Sequence, residues 1–390
     1  MPQAPTMPQV PTMPQVPTMP QAPIRVLVVD DSAFMRKMVT EILARDPGLC
    51  VVGQARDGAD ALVKLDALQP DVITLDIEMP VLDGFGALAE IMRRRPTPVL
   101  MLSSLTQVGA DATLRCLEMG AVDFIGKPSG AISLDIEKAA GEMIAKVKAA
   151  AGARILPRLA SPPPSPVGGG LRGNARAAAS SPGPRVLKEG GERAGRGSAP
   201  AVLVIGASTG GPRALQTLIP ALPADLGVPV VIVQHMPPGF TASLARRLEQ
   251  TSPFEVREAA DGDRLQPGVI LVAPGGRHLQ FTCGGVARLT DDPPVHCVRP
   301  AVDVTLASLA SLYGPRVVAV LLTGMGRDGA RGLKLVSDRG GRTFAEDETT
   351  CVVYGMPKAA AEIGAVGCLL PLPALAPAIA RVCLAEGKKT

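Results

Sequence analysis

Tryptophan is absent from this chain, and only two tyrosines and seven phenylalanines occur among its 390 residues. A core must therefore be filled by Val, Leu, Ile and Ala, which suits α/β layers built on buried parallel strands. The same scarcity removes the stacking aromatics of a nucleic-acid-reading module. No apolar run approaches the roughly 20 residues of a membrane span. The N-terminus lacks a basic segment followed by an apolar run, so no secretory signal is expected. The seven cysteines (Cys50, Cys116, Cys283, Cys297, Cys351, Cys368 and Cys383) are odd in number, scattered and free of any C-x-x-C pair. They read as free thiols in a reducing compartment, and the expected location is cytoplasmic. No ligand pair has zinc spacing. Histidine is scarcer still, with only His235, His278 and His296, so an imidazole base has three candidates.

What is present divides the chain. Residues 1–23 repeat MPQAPT, MPQVPT, MPQVPT and MPQAPI, a six-residue period rich in proline. Proline fixes φ and removes a donor, so this tail is expected to be extended and unpacked. Residues 150–200 contain SPPPSPVGGG and AAASSPGP and lack periodicity. They read as a flexible linker, longer than a connection inside one compact domain needs. The formal net charge of +4 is misleading, because residues 151–200 alone hold eight Arg and Lys against two Glu. Residues 24–149 and 201–390 remain as two units, each long enough for its own core.

Residues 24–149 alternate in character. Strands are expected at Ile24–Val29, Leu49–Gln54, Val72–Leu75, Pro98–Leu102 and Ala121–Ile125. Helices are expected at Ala33–Arg45, Gly58–Leu68, Gly84–Arg94, Ala110–Met119 and Leu134–Ala150. This order predicts a doubly wound, flavodoxin-like parallel sheet. Functional groups then gather at the carboxyl ends of the strands. Asp30 and Asp31 follow the first strand, Asp76 the third, Ser103 the fourth and Lys127 the fifth. Carboxylates converging at one edge repel unless a cation joins them, and an all-oxygen set suits Mg2+. A lysine and a hydroxyl opposite would hold a tetrahedral oxyanion. That arrangement permits phosphoryl transfer to a carboxylate.

Residues 201–390 predict a second parallel α/β unit, Rossmann-like in outline. Its expected strands include Val202–Ile205, Pro229–Val233 and Val317–Leu322, with a short one near Arg342–Ala345. Helices are expected at Pro212–Ile219, Thr241–Glu249, Val302–Tyr313, Ala330–Arg339, Met356–Ile363 and Ala374–Ala385. The segment Phe254–Thr290 reads as short strands with Gly and Pro turns, suited to β-hairpins. Gly206-Ala207-Ser208-Thr209-Gly210 fits the G-x-S-x-G elbow, although a small-residue βα turn would look the same. His235 lies just beyond the second strand, and Asp328 lies in a Gly-rich loop after another. Ser208, His235 and Asp328 can thus meet at one sheet edge as nucleophile, base and orienting carboxylate. The Thr209–Gly211 turn and the Gly324–Gly326 loop offer backbone N–H groups to an oxyanion. The chain order Ser, His, Asp differs from the Ser, acid, His order of α/β-hydrolases. A dinucleotide site fits poorly, because Gln234-His235 stands where a ribose-binding acid belongs. Tyr354 and Lys358 have Y-x-x-x-K spacing, but Gly355 and Pro357 interrupt a common helix face.

Two resemblances sharpen this. VLVVDDSAFMRK, LDIEMPVLDGF, MLSS and DFIGKPS resemble the receiver domain of response regulators. The resemblance implies an aspartyl-phosphate on Asp76, with Mg2+ held by Asp31 and Asp76, Asp30 in support and the Glu78 backbone carbonyl as a further ligand. It also implies Ser103 and Lys127 on the phosphoryl oxygens, and Phe124 as an aromatic that rotates on activation. GASTGGP, QHMPPGF, VAPGGRH, DDPPVH with RPAVDV, LLTGMGRDGA and CVVYGMPKAA resemble the catalytic domain of chemotaxis protein-glutamate methylesterases. That resemblance implies hydrolysis of γ-glutamyl methyl esters on chemoreceptors and deamidation of certain receptor glutamines. It implies Thr209 and Met325 as oxyanion amides, no cofactor for the hydrolysis itself, and a chemotaxis histidine kinase as phosphodonor. Arg327 precedes Asp328 where the family commonly has Asn, which adds a charge beside the triad. The competing expectation is a regulator that works by binding a partner, its Ser208 site idle. No DNA-reading helix motif is recognisable, and neither nucleic acid nor membrane insertion is expected.

Overall fold

In the computed structural model, the described residues are 22–104, 106–127, 133–155, 185–186 and 201–384. The proline hexads and most of the basic linker lie outside them. The first unit runs β1 (Ile24–Val29), α1 (Ala33–Leu43), β2 (Leu49–Ala55), α2 (Gly58–Leu68), β3 (Val72–Asp76), α3 (Gly84–Arg94), β4 (Val99–Ser103), α4 (Gln107–Met119), β5 (Asp123–Gly126) and α5 (Ser133–Ala151). Its strands form one parallel sheet in the order β2-β1-β3-β4-β5. Val26 to Val29 and Val99 to Leu102 are fully buried, as runs covered on both faces by helices must be. Short polar side chains start the helices. Ser32, Asp57, Asp83 and Thr106 each accept an amide of the first turn of α1, α2, α3 and α4.

A two-residue strand, β6 (Arg185–Val186), then leads into the second unit. This comprises β7 (Val202–Ala207), α6 (Gly211–Leu218), β8 (Val230–Gln234), α7 (Phe240–Thr251), β9 (Glu255–Glu258), β10 (Val269–Val272), β11 (His278–Thr282), β12 (Val286–Thr290) and α8 (Val302–Tyr313). It closes with β13 (Val317–Leu321), α9 (Ala330–Asp338), β14 (Arg342–Glu346), α10 (Met356–Glu362), β15 (Cys368–Leu370) and α11 (Leu372–Leu384). The sheet order is β6-β15-β14-β13-β7-β8-β10-β9, parallel except where β6 meets β15. The triad candidates follow β13, β7 and β8, three adjacent strands.

The structure differs from the sequence expectation at four places. Only β11 and β12 of the segment 254–290 form a hairpin. β9 and β10 instead extend the main sheet in parallel, and the unbroken apolar run VILV of β10 is what a doubly covered strand looks like. β15 is three residues long, too short to show a period. β6 places two linker residues on the edge of the sheet. Pro212 is the second residue of α6 rather than the first, which is equally harmless because first-turn amides have no helical partner.

Tight packing beneath the triad candidates depends on Gly206. A Cβ there would lie 2.6 Å from Val302 Cγ1 and 3.0 Å from Leu321 Cδ1. Gly206→Ala should therefore push α8 from the sheet and cost about 1–3 kcal/mol. Urea unfolding measures this, and an unchanged midpoint would show that α8 shifts freely.

Candidate active site

Ser208 sits in the turn between β7 and α6, and that turn is held on every side. Its amide donates to the Thr323 carbonyl at 3.1 Å, and its carbonyl accepts from the Gly211 amide at 2.7 Å and from Gln234 Nε2 at 2.9 Å. The loop after β13 presses against it closely. A Cβ on Gly324 would lie 2.7 Å from Ser208 Cβ, so only glycine allows the approach.

His235 follows β8, with its amide bonded to the Ala207 carbonyl at 3.1 Å. Its Nε2 meets Asp328 Oδ2 at 2.7 Å, and the imidazole is nearly buried. Asp328 is fixed by three further donors. Val302 N reaches Oδ2 at 2.6 Å, while Asp303 N and Gly329 N reach Oδ1 at 3.0 and 2.9 Å. Two of these amides open α8, whose positive end favours an anion. Burial opposes ionisation of Asp328, but the His235 contact and the Asp303 and Val302 amides outweigh it and hold the carboxyl below its ordinary range. With Nε2 engaged, Nδ1 is the ring nitrogen left to act as base. No hydrogen bond joins Ser208 Oγ to His235 among the described residues; such contacts often tighten only when substrate binds. Neither the Thr209 nor the Met325 amide is committed to another group among the described residues, as oxyanion donors require.

The other two histidines have local partners. His278 is buried between the Pro293 carbonyl at 3.2 Å and the Ala301 amide at 3.2 Å. His296 pairs with Asp303 at 3.1 Å.

At the edge of the first sheet, Asp30, Asp31 and Asp76 place carboxylate oxygens within 4.8 Å of one another. Lys127 Nζ lies 2.8 Å from Asp76 Oδ1 and 3.1 Å from Asp30 Oδ2. The Asp30 contact has ion-pair distance but not hydrogen-bond geometry, so that buried oxygen lacks a hydrogen bond. Burial pushes the Asp76 carboxyl up, and Lys127 draws it back only in part. Burial opposes the charge on Lys127, but Asp76 and Asp30 hold its ammonium above its ordinary range. A cleft of about 200 Å³ opens here, lined by Asp31, Asp76, Glu78, Ser104 and Lys127 among others. Ser103, expected beside the phosphoryl oxygens, is turned away. Its hydroxyl bonds Thr113 Oγ1 at 2.6 Å and the Ser104 carbonyl at 3.1 Å. Thr113, in the second turn of α4, is the partner that holds this hydroxyl.

The two sites are joined by contacts that no local pattern announces. Thr209 donates through Oγ1 to Asp123 Oδ2 at 2.6 Å, so the residue after Ser208 touches β5 of the first unit. The Phe124 ring stacks on Phe240 at the start of α7, with centroids 4.5 Å apart and planes at 7°. Lys146 donates to the Phe124 carbonyl at 2.7 Å and lies 5.1 Å from the ring centre. Glu118 on α4 receives Gln216 of α6 at 2.7 Å and pairs with Arg247 of α7. One apolar cluster runs through both units, from Leu114 and Phe124 to Leu215 and Phe240.

Comparison with known proteins accounts for both halves. The model of the response regulator receiver domain matches residues 26–136, and that of the CheB methylesterase matches residues 203–379. A protein-glutamate methylesterase/protein-glutamine glutaminase of Symbiobacterium thermophilum is 54% identical over 358 residues, covering 92% of this chain and 96% of that protein. One of Archaeoglobus fulgidus is 46% identical over 365 residues, covering 92% and 97%. The solved catalytic domain of the Thermotoga maritima CheB methylesterase is 45% identical, covers 47% of this chain and 99% of that one, and superposes with a TM-score of 0.46. The chain therefore belongs to the protein-glutamate methylesterase/protein-glutamine glutaminase family, with a receiver domain preceding its CheB methylesterase domain.

Proposed function

We propose that this protein is a phosphorylation-activated hydrolase that cleaves glutamate γ-methyl esters, and deamidates glutamines, on chemoreceptors in the cytoplasm. The observation that carries the proposal is the buried His235–Asp328 pair at 2.7 Å, on strands adjacent to the one that presents Ser208. His235 Nδ1 takes the Ser208 proton as Oγ attacks the ester carbonyl. The carbonyl oxygen becomes an oxyanion, received by the Thr209 and Met325 amides. As the tetrahedral species collapses, the C–O bond to methoxide breaks and Nδ1–H protonates the leaving group, releasing methanol. Water, deprotonated by the same nitrogen, then frees the glutamate carboxylate and restores Ser208. With glutamine the sequence is identical and ammonia leaves. Asp328 orients the imidazole and stabilises its protonated form throughout.

The receiver half supplies the control, with a histidine kinase as phosphodonor. Its all-oxygen cluster and unbonded Asp30 oxygen fit Mg2+. Asp31, Asp76 and the Glu78 carbonyl would hold the ion with Asp30 in support, and when bound it would neutralise charge on the incoming phosphoryl group. Asp76 is the carboxylate that accepts the phosphoryl group, and Lys127 moves its ammonium from Asp30 and Asp76 onto the new oxygens. In the unphosphorylated form, Asp123 and Phe124 keep the receiver against Thr209 and Phe240, beside the nucleophile. Phosphorylation loosens this cover as Phe124 rotates.

Methanol release from methylated receptor membranes tests both parts. Ser208→Ala should abolish turnover, by at least about a thousandfold; undiminished release would end the assignment of Ser208 as nucleophile, and no release by wild type would leave a partner-binding role. A phosphodonor with Mg2+ should raise wild-type turnover and leave Asp76→Asn unchanged. Phe124→Ala removes a ring stack of about 0.5–1.5 kcal/mol. It should raise turnover without phosphodonor up to roughly tenfold, the corresponding population shift. Basal turnover equal to wild type would mean that the stack does not hold the cover.

A further inference from the structure

Glu346, the last residue of β14, is completely buried and takes no part in the triad. Its Oε2 accepts from the Thr323 amide at 2.9 Å, and its Oε1 has no hydrogen-bond partner. A buried carboxyl so poorly satisfied is costly, and packing alone would be better served by an apolar residue. The answer lies in what Thr323 holds. Its carbonyl receives the Ser208 amide at 3.1 Å. Its hydroxyl donates to the Thr209 carbonyl at 3.0 Å and accepts from the Val353 amide at 3.0 Å. Thr323 is thus bonded to the main chain on both sides of the Ser208–Thr209 peptide, and Glu346 is the group that anchors the Thr323 amide.

We infer that Glu346 is a positioning residue for the nucleophile, fixing Ser208 and the Thr209 oxyanion amide through Thr323. This rests on Ser208 being the nucleophile. The carboxyl also makes the anchor sensitive to pH. Burial pushes Glu346 up to about 7, against the lowering influence of the Thr323 amide and of nearby Thr350 and Cys351, neither of which reaches Oε1 with hydrogen-bond geometry; the Cys351 thiol bonds the Glu346 main-chain carbonyl instead. The charge of Asp347 adds to the rise. Across the sheet its strand partner is Leu370 on β15, which brings no charge. The ionised form is the stronger acceptor for an amide, so the turn is held most firmly above neutrality. Stability runs the other way. Because the folded form keeps its proton to higher pH than an ordinary carboxyl does, its contribution is complete at low pH and is lost as pH rises towards 7.

Full-length protein, activated by phosphodonor and Mg2+, is assayed for methanol release from methylated receptor membranes between pH 6 and 8. Glu346→Ala should lower kcat about tenfold while KM changes less than about twofold, the signature of misplaced catalytic groups. Glu346→Gln keeps an acceptor for Thr323 and should stay within about threefold of wild type at pH 6. The ratio of wild-type to Glu346→Gln kcat should then rise through pH 7, while the variant gains in Tm over wild type across the same interval. A merely structural role would move Tm and leave the kcat ratio flat, and that result overturns the inference, as does full kcat in folded Glu346→Ala. If Glu346→Ala does not fold, the Glu346→Gln ratio decides alone. Absence of methanol release by wild type would contradict the hydrolase assignment, whereas an active wild type with indifferent variants contradicts only this inference.

Discussion

The carboxylate of Asp328 is the constraint on which the catalytic half is built. It is buried and accepts from His235 and from three amides, two of them at the head of α8. Together these partners more than offset the penalty of burying a charge. The imidazole is held through Nε2, which leaves Nδ1 as the nitrogen available to the proposed base role. The sheet order serves the same end. With β13, β7 and β8 side by side, Asp328, Ser208 and His235 emerge at one edge, although they are spread over 121 positions of sequence. Gly206 and Gly324 let α8 and the loop after β13 close around them.

On the proposed reading, control enters through β5. This strand carries Asp123 and Phe124, and Lys127 follows directly after it. At about 3.3 Å per residue, Lys127 lies within about 13 Å of the residue that touches Thr209. A change at Lys127 therefore has a short path, through the Asp123–Thr209 bond, to the Ser208 turn. The contact is polar at Asp123–Thr209, aromatic at Phe124–Phe240 and charged at Glu118–Arg247. No single one is worth more than a few kcal/mol, in keeping with the proposed release of the cover by phosphorylation.

Much of this was legible in the sequence because parallel α/β sheets put chemistry where strands end. That rule alone picks out Asp30, Asp31, Asp76, Ser103, Lys127, Ser208, His235 and Asp328. Glu346, at the end of the short strand β14, obeys the same rule. The turn-rich surroundings of β9 and β10 suggest hairpins, whereas tertiary cover makes them parallel core strands of the main sheet. Ser103 faces α4 because Thr113, ten residues on, offers a closer partner, a choice set by packing. The Asp123–Thr209 bond spans 86 positions between two units, and nothing in either local pattern encodes it.

The central claim is that the receiver covers the Ser208 turn and withdraws when Asp76 is phosphorylated. Amide hydrogen exchange of the full-length protein, with and without a phosphodonor and Mg2+, measures that cover directly. The account predicts faster exchange on phosphorylation in the turn 208–211 and along α7, and no such change in Asp76→Asn. Unchanged exchange in those segments, while hydrolysis accelerates, would contradict it.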